Sequence, residues 1–257
     1  MTKRLIPAVQ CALLILTFAS CSGDGNDSNR HLDFVSFSYN RNMTLRDYDS
    51  IPFDSDGNSY IEISGKGILP VASDNKNTGL LRDSLMRLAA VSMDDSGKYR
   101  PVTDQEMKDA EIPDSIEPSS RLINNLQLVL LNPEVAVWES YSYSYYRGAA
   151  HGNYAYSYVN VDLKDHSMIS LDNLMKPGYK EPLTQLLRNR LADRDDLLED
   201  IDDVGIPSRF RITADGLQFI YGIYEIAPYS SGEIRVDLSG YEMASILSEY
   251  GASILIP

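Results

Sequence analysis

The sequence has two cysteines, Cys11 and Cys21, and both lie within its first 21 residues. The rest of the chain therefore has neither a disulfide nor thiol chemistry open to it. Histidine is scarce as well, with His31, His151 and His166 the whole supply. A zinc site needs three or four ligands, and scattered histidines with no cysteine beside them do not provide it. The chain contains no Gly-x-Ser-x-Gly, no His-Glu-x-x-His and no phosphate-binding glycine loop. Neither a metal nor a cofactor is expected, and a non-enzymatic role is the first reading. Paired carboxylates of the glycosidase kind stay open, because acids are plentiful and their pairing depends on geometry. Positive charge is also short: Lys and Arg number 23 against 37 Asp and Glu, a net charge of −14. That argues against nucleic acid or an anionic membrane face as a partner. It suits a basic protein partner, and it suits plain solubility equally well.

What the chain does have at its start is a secretory signal. Lys3 and Arg4 precede a mostly apolar run over 5–18, and Ala19, Ser20 and Cys21 follow. The run is too short to span a bilayer well, and no other stretch is long and apolar enough. Cys21 stands where a lipoprotein signal peptidase leaves the acylated residue, with Phe18-Ala19-Ser20 as lipobox; Phe18 departs from the usual Leu. The expected mature form loses residues 1–20 and hangs from a membrane only by its N-terminal lipid at Cys21. Residues 21–30 form a polar tether. An ordinary secreted protein with a stray cysteine is the alternative.

Along the chain, apolar alternation predicts strands over 31–45 and 60–64, with an Asp-Gly turn over 54–58. That turn lacks the Gly and Glu positions of a calcium loop. Leu81, Leu85 and Leu88 share one face of a helix expected over 78–93, capped by Asn77 or Thr78. A short polar helix over 103–110 and a Pro-containing linker over 111–120 follow. Strands are expected over 126–131 and 135–138, bent at Asn132-Pro133. A short helix over 170–174 and a longer one over 182–201 come next. The acids between Asp193 and Asp203 read as a solvated face. Residues 209–213 and 217–221 form a hairpin through Ala214-Asp215-Gly216, 224–229 is a bent segment, 233–238 a strand and 241–249 a helix. The sum is an α+β protein with an antiparallel sheet packed with helices, in two lobes over 31–120 and 121–257.

The most distinctive stretch is YSYSYYRGAAHGNYAYSYVNVD, residues 141–162. It reads as two strands joined by a Gly-rich connection, and each tyrosine set, Tyr141, Tyr143 and Tyr145 then Tyr154, Tyr156 and Tyr158, lines one face. Such a stripe packs a sheet through cross-strand pairs, or it binds sugar rings or a protein. His151 in the connection has a structural, a ligand-contacting and a catalytic reading. Candidate binding residues are Tyr146, Arg147, His151 and Asn153 in the connection, and Tyr224, Glu225, Pro228 and Tyr229 in the bent segment. Both combine aromatics, Gly or Pro and polar groups on loops, where binding residues concentrate.

Two stretches carry a family likeness. Tyr146-Arg147-Gly148-Ala149-Ala150-His151-Gly152, with Val161-Asp162-Leu163 and Ser170-Leu171-Asp172-Asn173-Leu174, resembles one half of the RsiV-like extracellular domain, a domain of unknown function. Ile212-Thr213-Ala214-Asp215-Gly216-Leu217, then Tyr224-Glu225-Ile226-Ala227-Pro228-Tyr229 and Gly232, resembles its other half. The likeness covers roughly 124–247, and a fainter one to the domain that usually precedes it covers 32–120. In anti-sigma members this domain is the extracellular receptor for lysozyme; in others it precedes a peptidoglycan deacetylase. Neither the membrane helix of the first nor the catalytic domain of the second is expected here. The resemblance implies an envelope location and a binding face for a lysozyme-like protein or peptidoglycan; the expected place is the outer membrane or periplasmic leaflet of a Gram-negative bacterium. A cell-wall hydrolase or esterase without a recognisable motif and an envelope scaffold are the alternatives. Three Asp-Ser-aliphatic triplets, at Ser50, Ser84 and Ser115, resemble an O-glycosylation signal of some Gram-negative anaerobes.

Overall fold

The computed structural model describes residues 32–44, 60–93, 99–101, 120–145 and 149–256. Cys21, the tether, the 54–58 turn, the 103–110 helix, most of the 111–120 linker, Tyr146 and Arg147 lie outside them. So do the triplets at Ser50 and Ser115. The chain divides into two compact units. The first takes in Leu32–Gln127 and Ser140–Tyr154, the second Leu128–Glu139 and Ala155–Pro257.

In the first unit, β1 (Phe34–Thr44) and β2 (Tyr60–Pro70) pair antiparallel, Phe34 opposite Pro70. β2 runs well past the expected end at Ser64 because Gly65 and Gly67 continue it. A Cβ on Gly65 would lie 2.6 Å from both the Asn124 carbonyl oxygen and the Tyr39 ring. Glycine here lets a neighbouring backbone come close rather than ending the strand. β2 then pairs in parallel with β5 (Ser120–Leu131), Ile61 opposite Ser120. A parallel pair needs a crossover, usually helical. The segment between them supplies it with α1 (Lys76–Leu88), β3 (Val91–Met93) and β4 (Tyr99–Pro101). The five-stranded sheet, ordered β1-β2-β5-β6-β7, is thus mixed where an antiparallel one was expected. The α+β class holds.

The cap and the end of α1 differ from the expectation. Asn75 caps it, its Oδ1 accepting from Asn77 N at 2.8 Å and Thr78 N at 3.3 Å. The helix stops at Leu88, because Ala90 turns the backbone left-handed (φ 48°) and Val91 enters β3. Leu81 and Leu85 are buried as their spacing predicted. Leu85 closes the triplet at Ser84, whose hydroxyl donates to the Leu80 carbonyl at 2.9 Å.

β6 (Val135–Tyr145) and β7 (Asn153–Asp162) are the expected tyrosine strands, adjacent in the sheet. Asn132 makes the bend before β6, its Oδ1 accepting from Glu134 N and Val135 N. The second unit continues with α2 (Leu171–Leu174), α3 (Lys180–Leu191), β8 (Arg209–Ile212), β9 (Gly216–Tyr221), β10 (Ile234–Ser239) and α4 (Glu249–Leu255). α3 begins before Pro182 and ends at Leu191 rather than 201; Leu183, Leu187 and Leu191 are buried along it. Leu198, within the span expected to be helical, is 55% exposed. The acids from Asp193 onward therefore leave the helix. Residues 241–246 are a run of turns, and α4 starts at Glu249, where a helix was expected to end. Ser248 caps α4, its Oγ accepting from Gly251 N at 2.9 Å.

Burial sets the alkaline limit of this fold. Tyr39 is buried, donates to the Ala89 carbonyl at 2.8 Å, and has its phenol pushed up from 10.0 to about 12 by desolvation. Tyr179, bonded to Asp172 at 2.7 Å, is also raised to about 12, burial first and Asp172 second. The folded chain keeps these protons after the unfolded chain has lost them. Their contribution is whole below pH 10.0 and disappears as pH rises to about 12. Urea midpoints should hold up to about pH 10 and fall above it, with a shallower fall in Tyr39→Phe. An equally steep fall in that variant would place the titration elsewhere.

Candidate functional site

β8, β9 and β10 form an antiparallel sheet with β9 in the middle. Arg209 lies opposite Ile220, Ile234 opposite Tyr221. Alternation sends Phe210, Ile212, Leu217, Phe219, Tyr221, Ile234, Val236 and Leu238 to one face. They join Leu183, Leu187 and Leu191 in the unit's core. The opposite face carries Arg209, Arg211, Gln218, Arg235 and Asp237, and Tyr156 and Tyr158 of β7 lie against its arginines.

Glu233, just before β10, is the centre of that face. Its side chain is 3% exposed. Oε1 accepts from Arg209 Nη1 at 2.7 Å and from Tyr156 N at 3.2 Å, and Oε2 meets Arg235 Nη2 at 3.3 Å. Arg209 Nη1 also donates to the Tyr156 carbonyl at 2.9 Å. Arg235 stands 4.9 Å from the Tyr156 ring centre, and Arg211 5.6 Å from that of Tyr158. A second row runs from Arg211 Nε to Gln218 Oε1 at 3.0 Å and from Gln218 Nε2 to Asp237 Oδ1 at 2.9 Å. Arg211 also lies 3.8 Å from Glu139. Burial pushes the Tyr158 phenol up to about 12; Arg235 opposes this and Glu139 adds to it. Asn160 finishes the attachment of β7, accepting from Ile212 N at 2.8 Å and donating to the Phe210 carbonyl at 3.2 Å.

The bent segment follows β9. Glu225 N donates to the Gly222 carbonyl at 3.0 Å and closes a four-residue turn. Glu225 Oε2 accepts from Gly222 N at 2.6 Å and lies 3.7 Å from Arg209 Nη2. The third residue of this turn is Tyr224, at φ 63°. Type II turns give such a position to Gly or Asn. A bulky residue held there costs about 1–3 kcal/mol. Tyr224 is also 57% exposed, so its ring is only partly buried. Its ring lies 5.8 Å from that of Tyr229, at 41°. Pro228 caps the single helical turn Tyr229–Ser231.

Four of the eight candidate binding residues, Tyr224, Glu225, Pro228 and Tyr229, thus share one segment of the second unit. His151 and Asn153 belong to the first. His151 is exposed, with Nδ1 3.2 Å from the Gly152 oxygen, and Asn153 opens β7 exposed. Nearby in that unit the Tyr141 and Tyr154 rings lie 6.4 Å apart. Sequence reasoning passed over Arg209, Arg211, Glu233 and Arg235. Their trace is the alternation Arg-Phe-Arg-Ile and Glu-Ile-Arg-Val-Asp. That pattern alone reads as a solvated face.

Among the described residues, the carboxylates that shift all shift down, on local donors. Asp196 is lowered by the Ser231 hydroxyl first and Arg194 second, at 2.5 and 2.6 Å. Glu242 is lowered by the backbone and hydroxyl of Ser239, and Asp165 by Ser167. None has the raised carboxyl of a general acid. Among the described residues no group of three His, Cys, Asp or Glu is placed to hold a metal ion.

With this geometry in view, comparison with known proteins gives a class. Residues 172–239 match the model of a family described as a protein of unknown function, DUF3298. The matched stretch holds β8, β9, the bent segment and β10. The crystal structure of a DUF3298 family member from Bacteroides fragilis is similar, with a TM-score of 0.65 at 21% identity, over 87% of this chain and 96% of that one. A DUF3298 family protein from Pseudomonas aeruginosa is similar at 0.58 and 16%, over 86% of this chain and 96% of that one. At these identities the likeness is one of fold. No curated protein matches the chain.

Removing one partner of a buried ion pair strands the rest, at about 3–5 kcal/mol. Glu233→Ala should therefore lower unfolding stability by about that much, whereas Asp237→Ala, on the exposed rim, should cost under about 1 kcal/mol. Equal losses in urea titrations would remove Glu233 from the centre of the face.

Proposed function

We propose that this is a lipid-anchored envelope protein, non-enzymatic, whose second unit binds a lysozyme-like protein or peptidoglycan through residues 224–229. The observation that carries this reading is Tyr224, a large ring at left-handed φ with 57% of its surface exposed. Backbone strain persists where surrounding structure over-determines it, and it clusters at ligand-contacting sites. A rigid aromatic with a hydroxyl is a common anchor of interfaces. The lipid anchor rests on the Lys3-to-Cys21 signal, and the partner class on the motif resemblance and the −14 charge, which speeds approach of a basic protein.

A scaffold would present one large apolar patch. The exposed large apolar side chains, such as Val71, Leu131, Met168 and Tyr241, come instead from separate elements.

The test is titration of the full chain, in detergent, with a basic lysozyme and separately with peptidoglycan fragments, at low and moderate salt. Saturable lysozyme binding that survives moderate salt and weakens more than ~10-fold in Tyr224→Ala supports a protein receptor. Binding that vanishes with salt is charge attraction alone. Fragment binding alone turns the reading to the cell wall, and no binding to either overturns it.

A further inference from the structure

We propose that Arg209 is the positioning residue of the Tyr224–Tyr229 pair, clasping the Gly222–Glu225 turn so that Tyr224 is displayed before any ligand arrives. The inference rests on the reading of that pair as a binding site. Tyr224 is exposed, so its backbone is held from outside its own ring. The holders are local. The Glu225 N to Gly222 carbonyl bond closes the turn, and the Glu225 carboxylate accepts from Gly222 N at 2.6 Å. Arg209 Nη2, 3.7 Å away, steadies that carboxylate.

Arg209 does this from an anchored position. Its Nη1 is already committed to Glu233 at 2.7 Å and to the Tyr156 carbonyl at 2.9 Å. One planar guanidinium therefore ties β7 to the start of β10 with one nitrogen and reaches the turn with the other. A lysine ammonium is a single point and cannot hold both geometries at once. Gly222 is the matching half. A Cβ there would run into Arg209 Nη2 and lie 3.3 Å from Glu225 Oε2. Glycine leaves the space in which clasp and turn meet. A ring fixed in advance loses less freedom on binding, which is how preorganisation raises affinity.

Two variants test the clasp, and only Gly222→Ala leaves the Arg209–Glu233 pair its guanidinium; the melting point of each is read beside the effect on the turn. Gly222→Ala meets Arg209 Nη2 rather than backbone, so it should prise Nη2 from Glu225 and lower the melting point less than Arg209→Lys does. Arg209→Lys removes the fork itself. In both, the amide-to-α-proton coupling of Tyr224, read by NMR on the full chain in micelles, should leave the left-handed value. Affinity for a basic lysozyme should fall about tenfold, the order expected from lost preorganisation. An unchanged coupling in both variants overturns the clasp, whatever lysozyme does. A turn that relaxes while lysozyme affinity stays the same overturns the positioning role. If the parent binds no lysozyme, the failure belongs to the binding reading, and the coupling still decides the clasp.

Discussion

The second unit depends on one buried carboxylate. Glu233 meets Arg209 of β8, Arg235 of β10 and the backbone of Tyr156 in β7. Taking a carboxylate out of water costs several kcal/mol, recovered only when charge and hydrogen bonds close around it. Here both oxygens are engaged, and one arginine also takes the Tyr156 carbonyl. An apolar residue of the same volume would pack at less cost, yet would tolerate a slip of β7 along the sheet. A one-residue slip exchanges the faces of a strand. With the Tyr156 amide and carbonyl both claimed by the Arg209–Glu233 pair, and Asn160 bonded to Phe210 and Ile212, β7 has one register.

That constraint divides the labour between the two faces of the three-stranded sheet. Phe219, Leu217, Val236 and their neighbours bury against α3 and supply the hydrophobic drive. The other face burdens the unit with three arginines and several acids, and the tyrosines lie over the guanidiniums. Each such contact contributes about 0.5–2 kcal/mol depending on desolvation. Arg209 then extends the network past the strand ends to Glu225. A turn that looks like an exposed loop is thereby tied to the most buried charge of the unit.

The legibility of the chain follows the range of the interactions involved. Short-range patterns were readable: the Leu81 and Leu85 spacing, the Asp215-Gly216 hairpin, the paired tyrosine strands. Helix ends were not, because they turn on single residues. Asn75 rather than Asn77 caps α1, and Ala90 ends it with a left-handed backbone that no propensity scale assigns to alanine. The glycines in β2 looked like a strand end, and their purpose appears only when Asn124 and Tyr39 come against them. The candidate site was readable by half. Tyr224 to Tyr229 stood out as an aromatic segment with a proline, whereas the strand arginines that organise it look like solvated alternation until register brings Tyr156 and Tyr158 across them.

The tyrosines themselves show why residue type alone does not decide a role. Tyr156 and Tyr158 lie half-buried beneath arginines, and their rings serve packing. Tyr39 and Tyr221 are core residues whose hydroxyls donate to carbonyls of Ala89 and Gly205. Tyr250 donates to Asp162 and Tyr179 to Asp172. For Tyr39, Tyr221, Tyr250 and Tyr179 position supplies an acceptor for the hydroxyl, and for Tyr156 and Tyr158 a cation for the ring. Tyr224 has its ring largely in water and its backbone in the strained region. Glycine there would relax the turn and give up the contact of the Tyr224 ring with Tyr229. Among the described tyrosines, Tyr224 alone combines a largely exposed side chain with a left-handed backbone.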